Sequence, residues 1–541
     1  MTTGDFLLAP PPPAAAETFP ESFSGQRQLI AQTAERFAQD EIAPAADRIE
    51  SQDFAFIRGL LKRAGELGLT AVDVPEEYGG LGLDSATSAL VADHMAVQGS
   101  FSVAFGAHVG IATLPLVYFG TDDQKRRYLP RLASAQWIGA YALSESGSGS
   151  DALALRSQAA PTPDGGAYIL NGEKMWISNA GFADLFTVFA KVGDRVSAFL
   201  VEAATPGVST GAEEHKMGIL GSSTRPLLLR DARIPASNLL GQVGEGAHIA
   251  FQILNVGRFK LGAACIGGAR NLLRQTVAYA RERRAFGKEI AQFGLVRQMI
   301  VDTALGLYAS ESMVYRTAAA PSATADAVEC AIVKVDASEM LDRAVDRAVQ
   351  IHGGNGFIRG NVAERAYRDA RVNRIFEGTN EINRLLIPAT LLRNAQRGTL
   401  ALLPAIEAVT SELLSPPAES SPSEMARKTT LLVAGISFRK HGAALAEQQE
   451  VLAAIADLSI ATYRLQSIAQ RGAGDDQMIM NRVINEETLD QVELTARRAL
   501  CWLSTGDDLR TQLAWLRRLL KRPPEDTLAL RRQIALRILS A

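Results

Sequence analysis

AYILNGEKMWISNAGFADLFTVFAKVGDRVSAFLVEA, residues Ala167 to Ala203, is the stretch on which the fold turns. Its apolar residues come in short runs, AYIL, LFTVFAKV and VSAFLVEA, separated by Gly, Asn and Asp. Runs of that length, rich in Val, Phe and Ile and bounded by turn residues, read as strands. The same texture holds from about Trp137 to Val243 and includes PLLLRDARI at 226–234, so an antiparallel β unit is expected over residues 137–243. On either side the period changes. QRQLIAQTAERFAQDEIAPAADRIE and DFAFIRGLLKRAGELGLT, within residues 26–136, carry apolar residues at i, i+3 and i+4, the spacing of amphipathic helices. Long alanine-rich helices return over 244–394. Residues 395–541 read as three or four more helices, beginning around LSPPAESSPSEMARK, Leu414 to Lys428, whose Pro and Ser content suggests a mobile linker. The order is helices, β unit, helices, more helices, an α+β chain.

Composition narrows the function. The 541 residues are 47% hydrophobic and 21% charged, enough for three or four units with ordinary cores. A net charge of −3 lacks the basic footprint of a nucleic-acid-binding protein, so no nucleic-acid partner is expected. Cys265, Cys330 and Cys501 are too scattered for a metal or disulfide framework and suit a reducing compartment. None of the six histidines forms an i, i+4 pair, so no metal site is expected. No run approaches the roughly 20 uninterrupted apolar residues of a membrane span. MTTGDFLLAPPPPAAAETFPESFSGQR has no basic residue before Arg27. A targeting segment carries early positive charge, so residues 1–25 are expected to be a flexible arm and the protein cytoplasmic.

Four stretches and one acidic residue carry chemistry. YALSESGSGSDA, Tyr141 to Ala152, offers small residues, free backbone N–H groups and hydroxyls to a ligand, though such runs are commonly surface loop. EKMWISNA, Glu173 to Ala180, places Trp176 where it can stack on a flat ring or simply fill a core. YARERRAFGKEIAQFG, Tyr279 to Gly294, is a basic helix end broken at Phe286-Gly287; it can grip a diphosphate or sit in water. QIHGGNGF, Gln350 to Phe357, lets backbone approach closely but lacks the dinucleotide-binding spacing. RIFEGTNEINR, Arg374 to Arg384, sets Glu377 in a bend before a helix that Thr379 or Asn380 would cap, with Ile382, Leu385 and Leu386 on its apolar face.

The order and spacing of these stretches resemble the acyl-CoA dehydrogenase family over roughly Phe23 to Asn394. The loop with Glu145, Gly149, Ser150 and Asp151, then WIS at 176–178, RxxFG at 283–287, QxxGGxGF and EGTNE follow the family's series. ILNVGRF (253–259), QFGLV (292–296) with Gly294 where many relatives have Gln, and the C-terminal extension are similar to the very-long-chain branch. The resemblance implies an N-terminal helical domain, a β middle domain, a C-terminal four-helix bundle and an extra helical domain.

It also implies FAD-dependent α,β-dehydrogenation of long or very long acyl-CoA thioesters to trans-2-enoyl-CoA. Glu377 would take the α-proton, hydride would pass to flavin N5, and electrons would leave to electron-transfer flavoprotein. A helix N-terminus lowers a carboxylate's pKa in an empty site and burial under an acyl chain raises it. Flavin contacts are implied for Tyr141, Ala142, Leu143, Ser144, Gly149 and Ser150, and for Trp176, Ile177 and Ser178. Thr379, Asn380 and Glu381 would touch the same flavin. Arg283, Phe286, Phe293, Gln350, Ile351, Gly353 and Gly354 would reach a flavin across a subunit interface, in a homodimer whose extension replaces the second pairing of the tetrameric relatives. Substrate contacts are implied for Ser150, Asn255, Arg258 and Gly378; many relatives have Asp where Asn255 stands, so a charge is missing there. Some relatives carry the base one residue before an arginine of the Arg258 type, but here that residue is Gly257. An acyl-CoA oxidase and an assembly scaffold on the same fold are the alternatives. In the extension, TQLAWLRRLLKRPP, Thr511 to Pro524, puts a leucine stripe against a basic face. Such a helix can lie on an anionic membrane or, more commonly, pack its leucines into the protein.

Overall fold

The computed structural model describes residues 3–320, 326–415, 419–472 and 474–540. The chain forms two compact units. One comprises Phe23–Asn271 and Ile358–Glu377; the other comprises the residues up to Ser22, Leu272–Phe357 and those from Gly378 onward.

The first unit begins with helices whose ends are set by their caps. Asp53 accepts from Phe56 N–H at the start of Phe54–Glu66, Asp84 from Thr87 N–H at the start of Ser85–Met95, and Thr121 with Gln124 closes a capping box on Asp122–Ala133. Phe54–Glu66 buries Ile57, Leu60, Leu61 and Ala64, the apolar face expected from its spacing. Gly99–Gly106 runs into a π-helical turn, Ala107–Ala112.

The β unit follows: β1 (Gly139–Ala142), β2 (Gln158–Pro161), β3 (Ala167–Ser178), β4 (Leu185–Val192), β5 (Arg195–Glu202), β6 (Val208–Thr210), β7 (Thr224–Pro235) and β8 (Leu239–Leu240). Seven strands run β6-β7-β3-β2-β4-β5-β8, with β1 paired to β4. The pairing is antiparallel except at β4, which runs parallel to β1 and touches β2 in the same sense. β1 and β4 run the same way because the β2–β3 hairpin lies between them in sequence. Ala142, Leu170, Val188, Phe199 and Leu227 lie in this sheet's core.

The second unit is helical: Gly294–Ala318, Ala327–His352 and Asn380–Gln396, then Leu402–Glu412, Pro422–His441, Gln449–Arg471, Asp475–Leu503, Gly506–Leu519 and Thr527–Ser540. Two expectations are corrected here. Residues 414–428 are not one long linker. Residues 416–418 lie outside the described residues, but a helix is already under way at Pro422, with Ser421 Oγ accepting from Glu424 N–H. Lys428 Nζ reaches Glu412 Oε1 at 2.5 Å. The Pro and Ser residues of SPSE form a helix start, with Pro at the first position where its missing N–H is harmless.

Nor are the described residues of the N-terminal segment a flexible arm. Phe6, Leu7 and Phe19 are buried. Phe6 meets Tyr463 edge-on at 5.4 Å and its carbonyl accepts from Gln466 Nε2, while Arg427 Nη1 donates to the Leu7 and Leu8 carbonyls. The proline run reads as extended chain, but the apolar residues on either side of it supply the anchor.

The amphipathic helix Gly506–Leu519 also packs inward. Leu516 and Leu520 are buried, Arg518 Nη1 donates to the Leu413 carbonyl, and Arg522 pairs with Glu486 at 2.9 Å and Asp490 at 2.5 Å. Of the leucine stripe, Leu516 and Leu520 are buried and Leu513 and Leu519 half-buried. Gly99–Phe119 and Gly246–Glu282 have the length and apolarity to cross a membrane, but 78% and 67% of their most apolar windows are buried, as in core helices.

Candidate active site

Glu377 ends the first unit in a turn that only special backbone geometry allows. Its φ is +57°, and Gly378 follows at +80°. A left-handed glutamate costs on the order of 1–3 kcal/mol and persists only where neighbours hold it. Arg258 is the clamp: its Nε donates to the Glu377 carbonyl at 3.1 Å and its Nη1 to Asn255 Oδ1 at 2.8 Å. Asn255 and Arg258 are one turn apart on Gly246–Glu282 and both are buried. Gly257 lies between them. A Cβ there would stand 2.6 Å from Glu377 Oε2, 2.9 Å from its Cδ and 3.1 Å from Ile111 Cγ2. Position 257 is therefore glycine because the carboxylate occupies the space.

That contact sets up a sharp expectation. Gly257→Ala should push the Glu377 carboxylate aside while leaving the helix intact, since alanine favours helix over glycine. Misplacing a reacting group by about 1 Å can cost roughly 10²-fold in rate. Turnover should fall on that scale with an unchanged melting temperature. Full activity in the alanine variant would show that the carboxylate's position is immaterial.

Tyr141, on β1, completes this pocket. Burial and the nearby Glu377 carboxylate push its hydroxyl well above the ordinary tyrosine range, and among the described residues that buried hydroxyl has no hydrogen-bond partner. Ala142 and Leu143 are buried beside it, Ser144 is half-buried, and Gly149 and Ser150 are exposed. The loop rests on a buried ion pair absent from the sequence-derived candidates. Lys174 Nζ reaches Glu145 Oε1 at 2.7 Å and the Leu143 carbonyl at 3.2 Å. The same carboxylate accepts from Arg156 N–H, Ser157 N–H and Ser157 Oγ. Although burial opposes the charge, these bonds hold Glu145 down at about 2. Met175 N–H donates to the Ser144 carbonyl at 2.9 Å, joining the loop to β3.

β3 slips register against β7 between Lys174 and Ile177, and within that bulge Trp176 takes φ +58°. Bulges re-aim side chains. Here the bulge leaves the indole 52% exposed while Ile177 stays buried and Ser178 half-buried. An exposed tryptophan, an unsatisfied tyrosine hydroxyl and an open Gly-Ser loop form a donor set suited to a flat heteroaromatic ring with polar edges.

The second unit holds the other candidates. Thr379 Oγ1 accepts from Ile382 N–H and caps Asn380–Gln396. Asn380 is buried for another purpose: Lys334 Nζ donates to its Oδ1 and to the Gly378 carbonyl, each at 2.7 Å, and its Nδ2 donates to Ser338 Oγ and Glu339 Oε1. Its side chain is saturated, so an outside ligand would meet Thr379 and Glu381 or the backbone. Lys334 is fully buried and was missed; the signal was a lone lysine in the apolar run AIVKV.

The basic stretch is not simply a helix end. The helix stops at Glu282, and Arg284–Ala285 pairs with Lys288–Glu289 around Phe286 and Gly287, at φ +52° and +80°. Two left-handed residues are what a tight hairpin turn requires. Phe286 is 94% exposed and meets Phe293 edge-on at 6.0 Å, and Arg283 is exposed. Tyr279 stacks on His352 at 4.2 Å, and its hydroxyl accepts from Asn355 Nδ2 and donates to the His352 carbonyl. This ties the Arg283 segment to Gln350–Gly354, where Gln350, Gly353 and Gly354 are exposed and Ile351 is buried.

Comparison with known proteins identifies the family. The chain matches the acyl-CoA dehydrogenase N-terminal domain over residues 24–136, the middle domain over 140–232, and C-terminal domains over 244–392 and 425–518. It is 44% identical to a probable acyl-CoA dehydrogenase of Bacillus subtilis over 96% of this chain and 95% of that one. It is 40% identical to the mitochondrial very long-chain specific acyl-CoA dehydrogenase of Macaca fascicularis over 65% of this chain, a match spanning 55% of that protein. The crystal structure of a Bacillus anthracis acyl-CoA dehydrogenase complexed with FAD superposes with a TM-score of 0.95 at 41% identity, covering 100% of this chain and 99% of that one. With all of its domains matched in order, the chain belongs to the acyl-CoA dehydrogenase family.

Proposed function

We propose that the protein is an FAD-dependent acyl-CoA dehydrogenase that oxidises long-chain acyl-CoA thioesters to trans-2-enoyl-CoA. The observation that carries this reading is the Glu377 carboxylate lodged against Gly257 and Ile111, its strained backbone clamped by Arg258. Glu377 takes the proton from the α-carbon. The acidity of a thioester α-proton is far from a solvated carboxylate's reach, so the site must exclude water and stabilise the developing enolate. In this reading Gly378 lets backbone approach the thioester, and the Glu377 N–H bonds its carbonyl oxygen. Bound FAD supplies the hydride acceptor for the β-carbon. Tyr141, the Gly149-Ser150 loop and Trp176 form its cradle in this reading. Asn255 and Arg258 line the thioester's path. Electron-transfer flavoprotein is the electron acceptor, as in the family. The free cysteines fit a reducing compartment such as the cytoplasm.

Chain length follows from the helix ahead of the base. Ala104 packs into the core with Phe101 and Phe105. Val103 and Gly106 stay half-exposed, and none of the described residues lies within 4 Å of where a Gly106 Cβ would be. The π turn then brings Ile111 to Gly257. Small residues leading to the base leave room for an acyl chain. Each buried methylene adds about 0.8 kcal/mol, roughly fourfold in binding. In a substrate-length series with an artificial electron acceptor, kcat/KM should rise to chains of C12 or longer. Best activity on butyryl-CoA would reject the long-chain assignment.

Phe286, Leu295 and Phe357 are 94%, 76% and 83% exposed. Large apolar side chains left in water mark contact surfaces, and these lie beside the Arg283 and Gln350–Gly354 segments in sequence. We therefore assign a homodimer in which those segments complete the partner's flavin site. Its native mass should be twice the 58.0 kDa chain; four times that mass would reject the dimer.

A further inference from the structure

Within the second unit, Gly294–Ala318, Ala327–His352, Gln449–Arg471 and Asp475–Leu503 wall a cavity of about 720 Å³. Small-molecule sites commonly span roughly 300–1,000 Å³, so the space exceeds the needs of a bare ion. Its wall is crowded with charge, and the carboxylates have arginines of their own. Asp336 pairs with Arg464, Glu339 with Arg384 at 2.6 Å, and Asp457 with Arg384 at 2.8 Å. Asp302 takes Arg531 at 2.5 Å and Arg347 at 3.4 Å, Glu487 takes Arg531 at 2.5 Å, and Asp490 takes Arg522 at 2.5 Å.

Arg343 stands apart. It lines the same cavity, solvent reaches its side chain, and it forms no hydrogen bond or ion pair with the described residues. Burial and the neighbouring Arg464 push its guanidinium below the usual arginine range, although the Asp336 and Glu339 carboxylates, each bonded to another arginine, draw it back up. Arg464 also keeps its Nε buried without an acceptor among the described residues. Two like charges from different helices thus face one space with unused N–H donors. Guanidinium forks in that arrangement match the oxygens of an oxyanion, which would also relieve the repulsion between Arg343 and Arg464. Leu305, Val335, Met340, Leu458 and Val492 supply apolar wall for an organic body.

We propose that this cavity is a binding site for a small phosphate monoester, its phosphoryl oxygens held by Arg343 and by Arg464 Nε. None of its lining residues belongs to the site around Glu377.

The test uses the FAD-loaded full-length enzyme, titrated with glycerol 3-phosphate, inorganic phosphate and chloride at matched ionic strength. Glycerol 3-phosphate should raise the melting temperature saturably and at lower concentration than phosphate, with no saturable effect of chloride. Arg343→Gln should weaken that response roughly 10–100-fold, while melting in chloride no lower than wild type, because the repulsion from Arg464 is gone and Asp336 and Glu339 keep arginines of their own. Arg343→Lys, which keeps the charge and loses the fork, should also bind more weakly than wild type. Isothermal titration of the wild type should give one site per chain, which keeps the proposal testable if a variant folds poorly. Stabilisation that Arg343→Gln leaves intact would place the anion elsewhere and overturn the assignment. Absence of saturable binding to the wild type would do the same, and equal response to phosphate and its ester would overturn the ester.

Discussion

Glu377→Gln should keep its yellow flavin and its affinity for acyl-CoA while losing turnover by roughly 10²–10⁴-fold, the range that a positioned general base contributes. Glutamine preserves the side chain's size, so the contacts with Gly257 and Ile111 and the Arg258 clamp on the backbone survive. What it loses is the ability to accept a proton. No second carboxylate can substitute from position 257, because the glycine there leaves no space for one. Palmitoyl-CoA oxidation near the wild-type rate by this variant would remove Glu377 from the mechanism.

The largest stability effect is expected at Lys174. Its ammonium is fully buried, and burial pushes it below the usual lysine range, opposed by Glu145. Lys174→Met strands a buried carboxylate, and breaking one side of such a pair typically costs about 3–5 kcal/mol. The urea midpoint should drop accordingly, with flavin affinity falling as the Tyr141–Ser150 loop loses its floor. Adding Glu145→Gln should recover part of the loss, since the double variant buries no unpaired charge. A wild-type midpoint for Lys174→Met would refute the role. The pH dependence follows from the depressed carboxylate. With Glu145 held at about 2 in the folded protein against an ordinary 4.5, its contribution is complete above that ordinary value and is lost as pH falls through about 2.

Local chemistry in the sequence proved a good guide where partners were near in the chain. The strand texture of Ala167–Ala203, the face of Ile57, Leu60 and Leu61, and the Thr379 cap all follow from period and capping rules. SPSE at 421–424 was equally readable as a helix start; the surrounding Pro and Ser residues disguised it. Other features were hidden because their cause lies far away. Nothing near Gly257 in sequence says that a carboxylate 120 residues later needs its space. Phe6 and Leu7 look like loose ends until Tyr463, Gln466 and Arg427 are placed against them. Amphipathicity in Gly506–Leu519 tells that one face is covered and not by what. Glu145 stands out only as a member of the loop motif and Lys174 not at all, and only the fold of the loop over β3 brings them together.

The docking of residues 6–8 also sets a timetable for synthesis. Their hydrogen-bond partners are separated from them by 420 residues at Arg427 and 460 at Gln466. At a translation rate of about 5–20 residues per second, the partners leave the ribosome roughly 20–90 s later. Throughout that interval Phe6 and Leu7 are apolar side chains with no berth on the nascent protein, available to chaperones. The first unit's β sheet, by contrast, has all its strands in hand by residue 240.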